Sequence, residues 1–287
     1  MQNNRTRIVK VVWSISAIVF ALIVAGGVWL YSGALTAGKI KVFQTLPLPM
    51  AVVNLQPLSM KDFLTRFAVA QTALGPGGAQ DARPGIVAEL VKETEISQLA
   101  AWRDVTVSQK QVDDQYGVLA ARTNLQGQPN FEKFLQIQGL DAKQFKNNII
   151  RPELLYSQLE IWFNSRADLN PEAYRLANNL LSQINSGGSM GVLASEYSQD
   201  PIGKNSQGDI GFVQITDLSP ELREGVSTLK PGEAKIIPGQ NGLFIIRLES
   251  QTGNLLHLRQ IFLNTNDFNV WLDSQFKNFI VINLLKI

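Results

Sequence analysis

The spacing of apolar positions divides the chain into four stretches. Val11 to Tyr31 (VVWSISAIVFALIVAGGVWLY) is a 21-residue run without a charge and without a polar face, and about 20 such residues suffice to cross a bilayer as a helix. From Ala51 to about Phe163 the period is mostly helical. AVVNL is a short strand followed by a turn at Gln56-Pro57, and Ser59 caps a helix carrying Phe63, Leu64 and Phe67 on one face. Ser108 with Gln111 forms a capping box, Asn130 and Asp141 open two further helices, and Pro152 kinks or restarts the last of these. Gly33 to Pro49 reads as a stalk, and the glycine- and proline-rich Gly75 to Gly85 as a loop.

After Ser165 the pattern becomes mixed. Asn170-Pro171 starts a helix with Ala173, Ala177, Leu180, Leu181 and Ile184 on one face, and Gly187-Gly188 ends it. A short helix carries Met190, Leu193, Ala194 and Tyr197, and a polar loop runs into Gly208-Asp209-Ile210-Gly211. Another short helix follows Ser219-Pro220. Ala234–Ile237 and Leu243–Leu248 form a hairpin around Asn241-Gly242, and His257–Leu263 is a further strand. Phe268–Phe279 is helical and Ile280–Lys286 strand-like. The pattern predicts an α+β protein: a transmembrane helix, a mostly helical domain, and a domain with a small antiparallel sheet and surrounding helices. The expected boundaries are 1–10 cytoplasmic, 11–32 membrane, 33–50 stalk, 51–165 helical domain, 166–264 mixed domain, and 265–287 returning so that Ile280–Leu285 pairs with Val52–Leu55.

Charge refines the first stretch. The formal net charge is +2, but without Arg5, Arg7 and Lys10 the balance is 23 cations to 24 anions. Cations ahead of the apolar run keep the N-terminus cytoplasmic and send the rest across the membrane. Trp13 at one end, and Trp29 and Tyr31 at the other, suit the interfaces. The competing reading is a cleaved signal peptide with Ser32-Gly33-Ala34 as the cut site. The near-neutral body shows no basic stripe for nucleic acid. With no cysteine and one histidine, His257, thiolate chemistry and His-rich metal sites are excluded, and no organic-cofactor signal is present. Gly187-Gly188-Ser189-Met190-Gly191 fits G-x-S-x-G, but a nucleophile elbow needs a strand before its serine and here a helix ends there.

Four segments carry a resemblance: LASEYSQD (Leu193–Asp200), GDIGF (Gly208–Phe212), LKPGE (Leu229–Glu233) and QNGLFIIRLE (Gln240–Glu249). In this order and spacing, residues 172–249 resemble the parvulin-type peptidyl-prolyl isomerases. The helical half, through AVVNLQPLS and TVSQKQVDDQY, resembles the chaperone part of SurA-like extracytoplasmic folding factors. The resemblance implies an isomerase with chaperone activity on unfolded, proline-containing exported polypeptides. It places Asp200 at the polar position facing the reacting bond, Ile210, Leu218 and Leu222 around the proline ring, and Phe212 in support of that pocket. The family's two central histidines match Gln260 and Phe244, so a non-catalytic holdase is the alternative; a structural envelope protein is a third reading. His257 lies three residues from Gln260 on a strand and so faces away from it. The family's first strand precedes its first helix, whereas here polar Ser165–Pro171 stands there. LRQIFL (Leu258–Leu263) is expected to supply it by circular permutation, turned back by Thr252-Gly253-Asn254. Without the resemblance, Asp200-Pro201 reads as a turn and the apolar set as ordinary core.

Overall fold

The computed structural model describes residues 24–125 and 130–286. In chain order its elements are α1 (Ala37–Thr45), β1 (Pro49–Val53), β2 (Gln56–Ser59), α2 (Met60–Asp81), α3 (Arg83–Trp102), α4 (Gln109–Leu125), α5 (Phe131–Ile137) and α6 (Ala142–Phe145). A π-helical turn, Lys146–Ile150, leads into α7 (Arg151–Asn164). Then come α8 (Pro171–Asn185), α9 (Met190–Tyr197), α10 (Pro201–Asn205), β3 (Asp209–Gln214), α11 (Pro220–Val226), β4 (Ala234–Gly239), β5 (Gly242–Thr252), β6 (Leu255–Asn264), α12 (Phe268–Phe276) and β7 (Val281–Asn283). The chain is α+β, with two antiparallel sheets ordered β2-β1-β7 and β3-β6-β5-β4.

Most of the predicted apolar span, residues 11–23, lies outside the described residues. Residues 24–31 are helical, and among the described residues no helix is long and apolar enough to cross a membrane.

Contacts divide the chain into two compact units. The first comprises the chain up to Gln98, Asp113–Ile150 and the chain from Phe279 on. Its core joins Phe43, Met50, Val53, Phe63, Phe67 and Leu285. Capping starts its helices as expected. Ser59 accepts from the Lys61 amide, Asn130 from that of Glu132, and Asp141 forms a reciprocal box with Gln144. The last strand reaches β1 with Ala51 opposite Asn283, Val52 opposite Ile282 and Val53 opposite Val281. Two expectations fail here. The stalk contains α1, because Leu35 and Phe43 bury themselves in the core, and the Lys39 ammonium donates to the Ser32 and Ala34 carbonyls. Gly75 to Gly85 is helical rather than a loop. Gly75 takes φ 72° and kinks α2, and Pro76 starts the next turn, where a missing N–H costs little.

The second unit comprises Leu99–Val112 and Arg151–Asn278. Its four-stranded sheet has β6 and β5 in the middle and is covered on one face by α8 and α9. There Ala177, Leu180, Met190 and Ala194 pack on Leu243, Ile245, Ile261 and Leu263. The other face carries Ile237, Ile246, Leu248, Leu256 and Leu258 against Val226 of α11. Two buried asparagines join the ends of α7 and α8 to the segment after β6. The Asn164 amide donates to the Gly239 carbonyl (2.8 Å) and its oxygen accepts from the Thr265 hydroxyl (2.7 Å). Asn170 occupies the N-cap position of α8 but makes no side-chain cap. Its amide donates to the Phe163 carbonyl and its oxygen accepts from the Asn266 amide. Both amides are buried and hydrogen-bonded, whereas Ser165–Asp168 between the two helices stays exposed.

Candidate functional site

The site is built around β6. Next to it, Gly208-Asp209-Ile210-Gly211 forms a β-bulge: Asp209 pairs with Arg259 and Gly211 with Leu258, leaving Ile210 as the extra residue. Gly208 (φ 74°) and Gly211 (φ 72°) occupy the left-handed region, which glycine enters at little cost. The Asp209 carboxylate closes the bulge by accepting from the Gly211 amide at 2.8 Å. Gly208 also has no room for a side chain. A Cβ there would lie 2.4 Å from the Gln260 carbonyl oxygen and 2.8 Å from the Ala194 Cβ.

The bulge sorts the predicted residues between two faces. Ile210, Leu218, Leu222 and Phe244 are partly buried and pack on one cluster with Val226, Ile237, Ile246 and Leu258. Gln260 pairs with Ile246, and cross-strand partners share a face, so its side chain belongs to this face too. Phe212 does not. It pairs with His257, is 58% exposed, and stacks on the His257 ring at 4.8 Å. The bulge adds one residue and shifts the alternation that would otherwise put Ile210 and Phe212 together.

Phe262, which sequence reasoning passed over, pairs with Phe244, and their rings meet at 5.1 Å. The signal for it was its position two residues after Gln260 on one strand. The two rings occupy space left by glycines: a Cβ on Gly239 would meet Phe244 at 2.7 Å, and one on Gly242 would meet Phe262 at 2.8 Å. Arg223 holds the segment that carries Leu218 by donating to the Ile215, Thr216 and Leu218 carbonyls at 3.0–3.1 Å.

Asp200 lies beside this face through its neighbours. The Phe262 amide donates to the Ser198 hydroxyl and the Gln199 amide to the Phe262 carbonyl. Its carboxylate, however, accepts from the Ile202 and Gly203 amides at 3.2 and 2.9 Å and caps α10. The expected open polar loop is therefore partly a short helix, with Pro201 at its first position.

The opposite face carries charge. Arg259 donates to Asp209 (3.3 Å) and Glu249 (3.1 Å), Arg247 pairs with Glu249 (2.7 Å), and His257 Nε2 lies 2.9 Å from Asp209. The Gly211 amide, then the His257 hydrogen bond, hold the Asp209 carboxyl below its ordinary range. Burial raises Glu249, but its hydrogen bonds and charge contacts with Arg247 and Arg259 outweigh that and leave it lowered. Unfolded carboxyls titrate near ~3.9 for Asp and ~4.3 for Glu, so both folded values lie below the unfolded ones. Their stabilisation is fully present above about pH 4.5 and is lost as pH falls through the folded values. Thermal melting between about pH 6 and pH 3 is expected to show this loss, and Asp209→Asn to flatten part of it; a curve unchanged by that substitution would assign the acid sensitivity elsewhere.

The G-x-S-x-G sequence forms no nucleophile elbow. Gly187 (φ 92°) follows α8, and the Ser189 hydroxyl caps α9 by accepting from the Val192 amide. Among the described residues no cluster of His, Asp or Glu is placed to hold a metal ion.

A four-stranded antiparallel sheet flanked by α8 and α9 on one face and α11 on the other, with an apolar patch under α11, defines the class of domain. Residues 138–252 match the family model described as PPIC-type PPIASE domain, so that this part of the chain is similar to parvulin-type domains. The chain is also 25% identical over 173 residues to a protein named "Foldase protein PrsA" from Halalkalibacterium halodurans, covering 52% of this chain and 51% of that one. It is 26% identical over 177 residues to a protein of the same name from Caldanaerobacter subterraneus subsp. tengcongensis, covering 59% and 58%. The chain thus spans about half the length of the curated relatives it matches. Among solved structures, the crystal structure of a peptidylprolyl isomerase (PrsA) from Bacillus anthracis is 19% identical, covers 67% of this chain and 86% of that one, and has a TM-score of 0.23.

Proposed function

We propose that the protein is an extracytoplasmic folding factor that isomerises X-Pro bonds in exported polypeptides and holds them while they fold. The observation that carries this is the gathering of Ile210, Leu218, Leu222 and Phe244 on one sheet face of a domain matched as a PPIC-type PPIASE. An X-Pro bond turns over in tens to hundreds of seconds unaided, against the ~18–20 kcal/mol barrier of amide resonance. Catalysis needs no nucleophile. It needs an apolar seat for the proline ring and surroundings that favour the twisted amide over the planar one. The four apolar side chains and the Phe244–Phe262 pair supply the seat, and Gln260 supplies an amide on the same face. Asp200 acts as a positioning residue that caps α10 beside the seat.

Three further parts complete the proposal. The apolar span Val11–Tyr31 anchors the chain with its N-terminus cytoplasmic. The first unit, with its returning strand, holds clients. The domain is circularly permuted, with β6 standing in for the family's first strand; supporting this, β6 lies beyond the matched residues 138–252 yet occupies the sheet between β3 and β5. The second reading is a holdase without catalysis, favoured by Phe244 and Gln260 standing where the family has histidines and by the engagement of Asp200 in a helix cap.

The test is NMR exchange spectroscopy on a series of X-Pro peptides with the full chain. Catalysed exchange is expected to vary little between about pH 5.5 and pH 8, because neither Gln260 nor Phe244 carries a group that titrates and His257 lies on the other face. Asp200→Asn, which keeps the cap, should retain most of the rate. Peptide line broadening without catalysed exchange would replace the isomerase by the holdase.

A further inference from the structure

A second cleft in the same unit plays no part in the proposed isomerase site. It measures about 560 Å³ and runs along Lys235–Pro238 of β4, with Ile161 and Trp162 of α7 on one side and Glu221 and Glu224 of α11 on the other. Asp104 closes one end. That size falls within the ~300–1,000 Å³ of sites that enclose ligands.

The floor of the cleft is a sheet edge. Among the described residues β4 pairs only with β5, and Gly239 opposite Gly242 closes a two-residue turn. The closing pair of such a turn is hydrogen-bonded, and along an antiparallel ladder bonded and non-bonded pairs alternate. Ile237 and Lys235 therefore point their backbone groups at β5, whereas Ala234, Ile236 and Pro238 point theirs at the free edge. Pro238 offers only a carbonyl there; Ala234 and Ile236 offer both an N–H and a carbonyl. Such an edge is a template for an added strand.

The walls favour one kind of strand. Three carboxylates, Asp104, Glu221 and Glu224, face one ammonium, Lys235. The nearby guanidinium groups of Arg103 and Arg166 lie over the Trp162 ring at 5.1 and 5.7 Å, and Arg166 is paired with Asp168. Asp104 is held at the rim by a backbone turn with φ 57°, closed by the Val105 amide on the Ala100 carbonyl (2.9 Å).

We infer that this cleft binds an extended, cationic segment of unfolded polypeptide as a fifth strand on β4, with Lys or Arg side chains of the segment against Asp104, Glu221 and Glu224. This goes beyond the isomerase reading and needs no proline in the segment. α11 is shared between the two sites, with Leu222 on one and Glu221 and Glu224 on the other, so one client chain could engage both and gain from the linkage.

The test uses the full chain and a fluorescein-labelled, proline-free peptide of alternating Val and Lys about as long as β4. Anisotropy titration is expected to show binding that weakens with salt, falls at least tenfold when the peptide's Lys residues become Glu, and falls similarly in Glu224→Lys. Glu224 is exposed, so that variant should stay folded. Asp104→Asn is a milder second variant and should weaken binding in the same direction. Hydrogen exchange should slow at the Ala234 and Ile236 amides, within 234–238, when the peptide is added. Equal binding of the Glu peptide, or protection confined to other residues, would overturn the inference. Protection of 234–238 that follows protein concentration and ignores the peptide would assign the edge to a second copy and overturn it too. Because the peptide lacks proline, none of these outcomes depends on whether X-Pro exchange is catalysed.

Discussion

Gly208→Ala is expected to destabilise the second unit by about 2–5 kcal/mol, more than any other single glycine substitution in the turn. Two costs combine. At φ 74° an L-residue gives up ~1–2 kcal/mol to the left-handed conformation. The added Cβ would also press on the Gln260 carbonyl at 2.4 Å and the Ala194 Cβ at 2.8 Å, neither of which is the free end of a flexible side chain. Overpacking against such neighbours costs a further ~1–3 kcal/mol. Gly211→Ala is the internal control. It has nearly the same φ, 72°, but nothing within 4 Å of its Cβ position, so only the conformational cost of ~1–2 kcal/mol applies. With two units in one chain, a single global unfolding curve is ambiguous. Hydrogen exchange at the β6 amides reads the second unit directly, and the Gln260 amide, which donates to the Gly208 carbonyl at 2.8 Å, should lose protection first. Equal effects of the two substitutions would mean that β6 yields to admit a methyl group.

The contrast between these glycines shows which parts of the fold are legible in one sequence. Features set by neighbours three or four residues apart can be read off. The caps at Ser59, Asn130 and Asp141, the box of Ser108 with Gln111, and the hairpin of β4 and β5 belong to this group. So does the β5–β6 ribbon turned at Thr252-Gly253-Asn254, whose strands alternate in step where Gly242–Leu248 faces Leu258–Asn264, up to a register shift at Glu249. What sequence could not show depends on contacts made from a distance or on a single change of phase. Gly33 to Pro49 looks like a stalk until Leu35 and Phe43 find a core to enter. Gly75 to Gly85 has loop composition, yet one kink at Gly75 lets the helix resume. The resemblance implies Phe212 in support of the pocket around Ile210, but one bulge residue sends it to the other side, against His257. Asp200 shows the same limit in chemical terms. Its position beside the face follows from sequence order, but that both carboxylate oxygens are used in capping α10 depends on Pro201–Asn205 becoming helical.

Leu222→Glu should reduce affinity for X-Pro peptides at least a hundredfold while leaving the unit folded, and it separates the proposed seat from ordinary core. Leu222 is only partly buried where it meets the cluster of Val226, Ile237 and Leu258, so the free protein can leave a carboxylate there in contact with water. A bound proline ring would cover it, and an unpaired charge under an apolar ligand costs several kcal/mol. Each ~1.4 kcal/mol is a factor of ten in binding, which sets the expected scale. The adjacent cation offers no relief. Arg223, the adjacent residue on α11, already donates to three carbonyls of the Ile215–Leu218 segment, and turning it toward position 222 would release Leu218 from its place. Val226→Ala supplies the contrast. Val226 is buried beneath the same face, and its truncation should lower stability without a comparable loss of affinity in the protein that remains folded. Measured by peptide titration, a large effect of Leu222→Glu with a small one of Val226→Ala marks a binding surface. Loss of stability in both with unchanged affinity in both would mean that Leu222, Ile210, Leu218 and Phe244 are core side chains left partly uncovered, and that clients bind elsewhere.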